Sequence, residues 1–149
     1  MKKKTLATLL LSVSLILALV SAEGCAPIET DTAEQETQTP IIENITPGRA
    51  LTLLQNNRDN PDFIIIDVRT PQEFAQEHIE GAINLDYYSA DFREQLKELD
   101  KNKTYLVYCR TGRRSKAAVD LMKELGFGQI YNISDGIIDW KAEGLPTVK

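Results

Sequence analysis

Cys109-Arg110-Thr111-Gly112-Arg113-Arg114-Ser115 is the stretch best equipped for chemistry. A cysteine becomes a strong nucleophile once it ionises, and nearby positive charge favours the ionised form. Arg110, Arg113 and Arg114 supply that charge. Gly112 lets the backbone take conformations that other residues resist. A loop of this kind feeding a helix can aim several unpaired N–H groups at one point, forming an anion cradle from Arg110 to Ser115. Thiols so placed have pKa values of roughly 3.5–7.5. The plainer alternative is a buried, unreactive cysteine ending a strand, but three arginines around such a thiol would serve no packing purpose.

The flanking residues position the loop. Thr104-Tyr105-Leu106-Val107-Tyr108 is an aromatic and β-branched run that reads as a buried strand. Lys116 to Leu125 reads as a helix, with Ala118, Leu121, Met122 and Leu125 at helical spacing and Gly126 as its stop. Cys109 therefore falls at the carboxyl end of a strand, where open α/β sheets place their ligands.

With these residues in view, the chain resembles the rhodanese family of sulfurtransferases. Cys-Arg-Thr-Gly-Arg-Arg-Ser is similar to that family's active-site loop. Asp67-Val68-Arg69, Glu73-Phe74, His78-Ile79, Gly81-Ala82 and Asn84 resemble its upstream signature. Gly126-Phe127, Gly136, Trp140, Gly144 and Pro146 resemble its closing segment. The likeness covers about residues 41 to 149. Two positions depart from the family pattern: Glu77 stands where glycine is usual, and Asp135 precedes Gly136 where a glycine pair is common.

The elements expected around the loop alternate. Glu43 to Ile45 reads as a short edge strand. Thr46 and Pro47 open a helix whose apolar face is Ala50, Leu51, Leu53 and Leu54. Phe63 to Ile66 has the continuous apolar pattern of a buried parallel strand. Thr70-Pro71-Gln72-Glu73 is a capping-box helix start. Ala82 to Leu85 is a short strand, and Asp91 to Leu99 a helix with Phe92, Leu96 and Leu99 inward. Gln129 to Asn132 is a last strand, and Ile137 to Trp140 belongs to a closing helix, which Asp135 could cap. Such alternation predicts an α/β, rhodanese-like fold with a central parallel sheet and helices on both faces.

The beginning of the chain has a different character. Lys2-Lys3-Lys4, the apolar run Leu6 to Val20 and the small residues Ser21 and Ala22 predict a signal peptide over 1–22. Ala22-Glu23-Gly24-Cys25 resembles a bacterial lipobox, making Cys25 a candidate for lipidation, with cleavage after Ala22 or an uncleaved anchor as alternatives. The polar stretch that completes 23–40 reads as a disordered acidic tether with an end-to-end span of roughly 20 Å. Residues 41–149 form the expected rhodanese domain. These features predict export to the cell envelope, on a periplasmic or other extracytoplasmic membrane surface. The whole 149-residue chain carries a net charge of −5, and its basic residues gather at one cysteine, which argues against nucleic-acid binding.

Asp67 and Arg69 are expected near the site as scaffold, in an ion pair with Glu73. His78 is expected to be structural, and Trp140 a packing residue. No cofactor or metal is expected, because no ligand spacing is present. Cys109 is the expected nucleophile, taking a sulfane sulfur from a donor such as thiosulfate and passing it to cyanide or a thiol. Arg110, Thr111, Gly112, Arg113, Arg114 and Ser115 would bind substrate, with Arg114 the foremost arginine and Arg113 open to solvent. A monomer is expected. Two rivals remain: a non-catalytic binding or sulfur-carrier module on the same scaffold, and a phosphatase or arsenate reductase. Cysteine phosphatases place arginine after five intervening residues, whereas Arg114 follows Cys109 after four.

Overall fold

The computed structural model describes residues 39–149. The signal peptide, Cys25 and nearly all of the expected tether lie outside the described residues. Ten elements follow in alternation. They are β1 Ile41–Ile45, α1 Pro47–Asn56, β2 Phe63–Asp67, α2 Pro71–Gln76, β3 Ala82–Asn84, α3 Phe92–Lys97, β4 Thr104–Tyr108, α4 Arg113–Glu124, β5 Gln129–Ile133 and α5 Gly136–Ala142.

The five strands make one parallel sheet in the order β1-β5-β4-β2-β3. β4 is its centre, and side chains leave it alternately to two cores. Tyr105, Val107 and Cys109 enter one core with Phe92 and Leu96 of α3 and Ala118, Val119 and Met122 of α4. Leu106 and Tyr108 enter the other with Ala50 of α1 and Ile137 and Trp140 of α5. Helices thus cover both faces, as the alternation of strands and helices requires. Met122 and Leu96 are fully buried, and truncating either to alanine would cost about 2–5 kcal/mol.

Local sequence explains the helix starts. The Thr46 hydroxyl accepts from the Arg49 N–H at 3.4 Å, and Pro47 occupies the first turn. The Thr70 hydroxyl accepts from the Glu73 N–H, while the Glu73 carboxylate accepts from the Thr70 N–H. α5 is less conventional: Asp135 stands at its cap position but makes no side-chain capping bond. Its carboxylate accepts from the Ser134 hydroxyl instead, at 2.8 Å. Of the two departures from family pattern, Glu77 has an extended backbone (φ −171°) and Asp135 an ordinary one (φ −104°). Neither position requires glycine.

Candidate active site

Cys109 follows β4 directly, and α4 begins at Arg113, three residues earlier than the apolar spacing indicates. The polar first turn conceals the start. Its cap is Gly112, at φ 83° and ψ −20°, a left-handed conformation that glycine adopts without penalty. The early start brings Arg113, Arg114 and Ser115 into the first turn, where backbone N–H groups lack helical acceptors.

α5 holds the loop from behind. The Ile137 N–H donates to the Cys109 carbonyl at 2.9 Å, and the Ile138 N–H to the Arg110 carbonyl at 3.2 Å. With these carbonyls engaged away from the thiol, the following N–H groups turn toward it. Gly136 makes the approach possible: a β-carbon there would lie 2.5 Å from the Cys109 carbonyl oxygen.

Cys109 is buried. Burial pushes its thiol up, but the N–H and hydroxyl of Ser115 and the N–H groups of Thr111 and Arg114 outweigh this. Together they hold its pKa below the ordinary 9.0. The Ser115 hydroxyl also lies 3.1 Å from the Gly112 carbonyl. It carries a single proton, so the two acceptors compete, and ionisation of Cys109 favours the sulfur. Gly112, not Ser115, stands at the cap of α4, and the Ser115 hydroxyl is within reach of both the thiol and that carbonyl.

The three arginines are not equivalent. Arg114 donates to both Glu73 oxygens, at 2.7 and 2.9 Å, and its guanidinium lies 5.5 Å from the Tyr88 ring centroid. The hydrogen bond from Arg114 holds the Glu73 carboxyl at about 2. Arg114 is thus already neutralised. Arg110 and Arg113 are exposed and, among the described residues, make no side-chain hydrogen bond or ion pair. A recess lined by Thr70, Tyr88, Arg110, Thr111, Arg113 and Ile138 opens over the loop.

Asp67 and Arg69 pair with each other, correcting the expected pairing with Glu73. The Arg69 guanidinium donates to both Asp67 carboxylate oxygens, with contacts of 2.6 to 3.0 Å. It also donates to the Glu77 carbonyl at 2.6 Å. Glu73 faces the cysteine loop instead because its capping contact with Thr70 orients it there. The buried Asp67–Arg69 pair anchors the end of β2 to the end of α2. Asn84 reinforces it by donating to the carbonyls of Asp67 and Arg69 at 2.9 and 2.8 Å. His78 stacks on Phe74 and pairs with Val148 through its backbone. Trp140 is buried and donates to the Pro146 carbonyl.

In the sequence Glu73 is legible as a capping residue and as an expected partner of Arg69, but not as the partner of Arg114, and nothing there signals Tyr88. The opposing role of Gly136 and Ile137 is equally hidden, since it depends on a contact between two distant loops.

Residues 50–143 match the rhodanese-like domain family. A sulfurtransferase of Allochromatium vinosum is 36% identical over 97 residues, covering 65% of this chain and 89% of that protein. The thiosulfate sulfurtransferase PspE of Escherichia coli is 40% identical over 67 residues, covering 45% of this chain and 64% of that protein. A crystal structure of a rhodanese-related protein from Thermoplasma volcanium is 33% identical, with a TM-score of 0.59, covering 71% of this chain and 97% of the other.

Proposed function

The chain belongs to the rhodanese-like family, whose relatives include sulfurtransferases, and from that premise we propose that it moves a sulfane sulfur through a persulfide on Cys109. The carrying observation is the convergence of backbone N–H groups and the Ser115 hydroxyl on a thiol of lowered pKa. The Cys109 thiolate attacks the outer sulfur of thiosulfate. The S–S bond of thiosulfate breaks, and sulfite leaves with its electron pair. The terminal sulfur of the new persulfide carries the negative charge, facing the N–H groups of the loop. Cyanide or a thiolate then takes that sulfur, and the S–S electron pair returns to Cys109.

Arg110 and Arg113 attract the anionic donor, because their charge is not committed elsewhere. Arg114 is a positioning residue, fixed by Glu73 with its backbone N–H aimed at the thiol. This differs from the sequence expectation, which ranks Arg114 first for substrate. Thr111 and Gly112 shape the cradle. Thiosulfate:cyanide turnover tests the reading, with intact mass after thiosulfate alone as the second measurement. A gain of one sulfur atom that disappears with cyanide is the expected result. Neither turnover nor that gain would overturn it.

The reading extends to location. The leader, a lipid on Cys25 and the acidic stretch would hold the 41–149 domain, as a monomer, near an extracytoplasmic membrane surface. Membrane fractionation of the full chain and its Cys25→Ala variant tests this: release of the variant is expected, and unchanged membrane retention would overturn lipid anchoring through Cys25.

A further inference from the structure

A second recess adjoins the first, with Glu73, Arg110 and Ile138 lining both. It lies between α2 and α5 and has a volume of about 600 Å³. Gln76 and Glu77 come from the α2 side, Ile138, Lys141 and Ala142 from α5, and Arg110 from the cysteine loop. Two recesses that differ in chemistry thus meet at Arg110 of the cysteine loop.

The first approach is bordered by the start of α4 and the uncommitted cation of Arg113, which suits a compact oxyanion. The second has no comparable backbone donors from α5. The N–H groups of Ile137 and Ile138 are already given to the carbonyls of Cys109 and Arg110. Its wall combines aliphatic surface from Ile138 and Ala142 with the polar Gln76, a lining that suits an organic body. Its charges balance in pairs, with one exception. Arg69 is paired with Asp67, Glu73 with Arg114, and Lys141 with Glu77 across the recess. Among the described residues Arg110 has no counter-ion.

We propose that this α2–α5 recess is the acceptor subsite, and that it selects a small organic thiol carrying a carboxylate. The proposal rests on the sulfurtransferase reading. The aliphatic part of the acceptor lies along Ile138 and Ala142, and its carboxylate answers Arg110. Its thiolate attacks the outer sulfur of the Cys109 persulfide. The S–S bond breaks, its electron pair returns to Cys109, and the acceptor leaves as an organic persulfide. The Glu77–Lys141 tie limits the length of acceptor that the recess admits. Glu77 supplies this tie at a position where the resembling family usually has glycine.

The test uses the full chain with thiosulfate as donor and three acceptors: cyanide, 3-mercaptopropionate and cysteamine. Cyanide is too small to depend on the recess walls and serves as the internal reference. In Gln76→Glu, kcat/KM for 3-mercaptopropionate relative to cyanide should fall about fivefold, while that for cysteamine rises. Gln76→Lys should shift both ratios the other way. Comparing each acceptor with itself across variants removes differences in intrinsic thiol reactivity. Ala142→Phe, which fills the recess, should lower both thiol ratios by about fivefold or more. Ratios unchanged in all three variants, or the same direction of change in both Gln76 variants, would overturn the subsite. Cyanide turnover without any thiol turnover in the parent would overturn it too. Loss of the sulfurtransferase reading itself would look different: no cyanide turnover and no sulfur gain on Cys109.

Discussion

The carbonyl oxygen of Ser134 packs so closely on Gly112 that a β-carbon at residue 112 would lie 1.5 Å from it. The contact joins the loop after β5 to the cap of α4. It leaves Gly112 no room for a side chain, in addition to its positive φ. Gly112→Ala must therefore displace backbone. The left-handed conformation alone costs about 1–2 kcal/mol, and relieving the clash adds to that. We expect thermal melting to fall by about 8 °C or more. Sulfur transfer should fall further than stability does, because the displaced backbone is the cradle itself.

Cys109→Ser tests the nucleophile. A hydroxyl cannot carry a persulfide sulfur, so the variant should take up no sulfur from thiosulfate and give no cyanide turnover. The buried position tolerates the small change in size, and the variant should remain folded by circular dichroism. Substantial turnover in a folded Cys109→Ser protein would exclude the covalent route.

Ser115→Ala separates the cradle from the charges around it. The hydroxyl is one of the groups that lower the Cys109 pKa below 9.0. Removing it should raise that pKa, because one hydrogen bond to the thiolate is lost. The rate of sulfur uptake from thiosulfate, followed against pH, should show its inflection below 9.0 in the parent and move to higher pH in the variant. An unmoved inflection would mean that the hydroxyl stays with the Gly112 carbonyl throughout.

Much of this arrangement is legible in the residues, and the parts that are not have two causes. The apolar run Phe63–Ile66 and the Thr104–Tyr108 strand announce a buried parallel sheet, because burial on both faces leaves continuous hydrophobic runs. Thr70 and Glu73 announce a helix start through local bonding. The start of α4 is hidden because its first turn is polar and cap Gly112 has no side chain to signal it. The partners of Glu73 and Gly136 are hidden because each lies across a tertiary contact. Glu73 meets Arg114 41 residues away, and no local pattern encodes that pairing.

Glu73→Gln probes the long-range pair. In the folded protein Glu73 ionises at about 2, against an ordinary value of 4.5, chiefly through the bond from Arg114. A carboxylate with a lowered pKa stabilises the fold fully above its unfolded value and loses that contribution as pH falls through the folded one. The parent should therefore lose stability from about pH 4.5 down toward 2, and Glu73→Gln should show a shallower loss over that window in denaturant titrations. At neutral pH the variant frees the Arg114 charge beside Cys109. The Cys109 inflection should then move to lower pH, the opposite of Ser115→Ala.

The last prediction concerns what the loop admits. Four residues separate Cys109 from Arg114, and Gly112 is pressed against Ser134, so the cradle cannot widen without moving the β5–α5 connection. One sulfur atom beyond Cys109 needs little room. A phosphoryl group brings three oxygens and needs donors set further apart. The parent should therefore turn over thiosulfate and cyanide while hydrolysing p-nitrophenyl phosphate at or near background. Inserting glycine between Gly112 and Arg113 leaves the loop's charge unchanged and alters its width. After circular dichroism and melting show the variant to be folded, its sulfur transfer should fall about tenfold or more, the effect of losing one well-placed donor or more. Full sulfur transfer in the folded insertion variant would show that cradle width does not select sulfur. Faster phosphate hydrolysis than sulfur transfer in the parent would show that the loop belongs to phosphoryl chemistry.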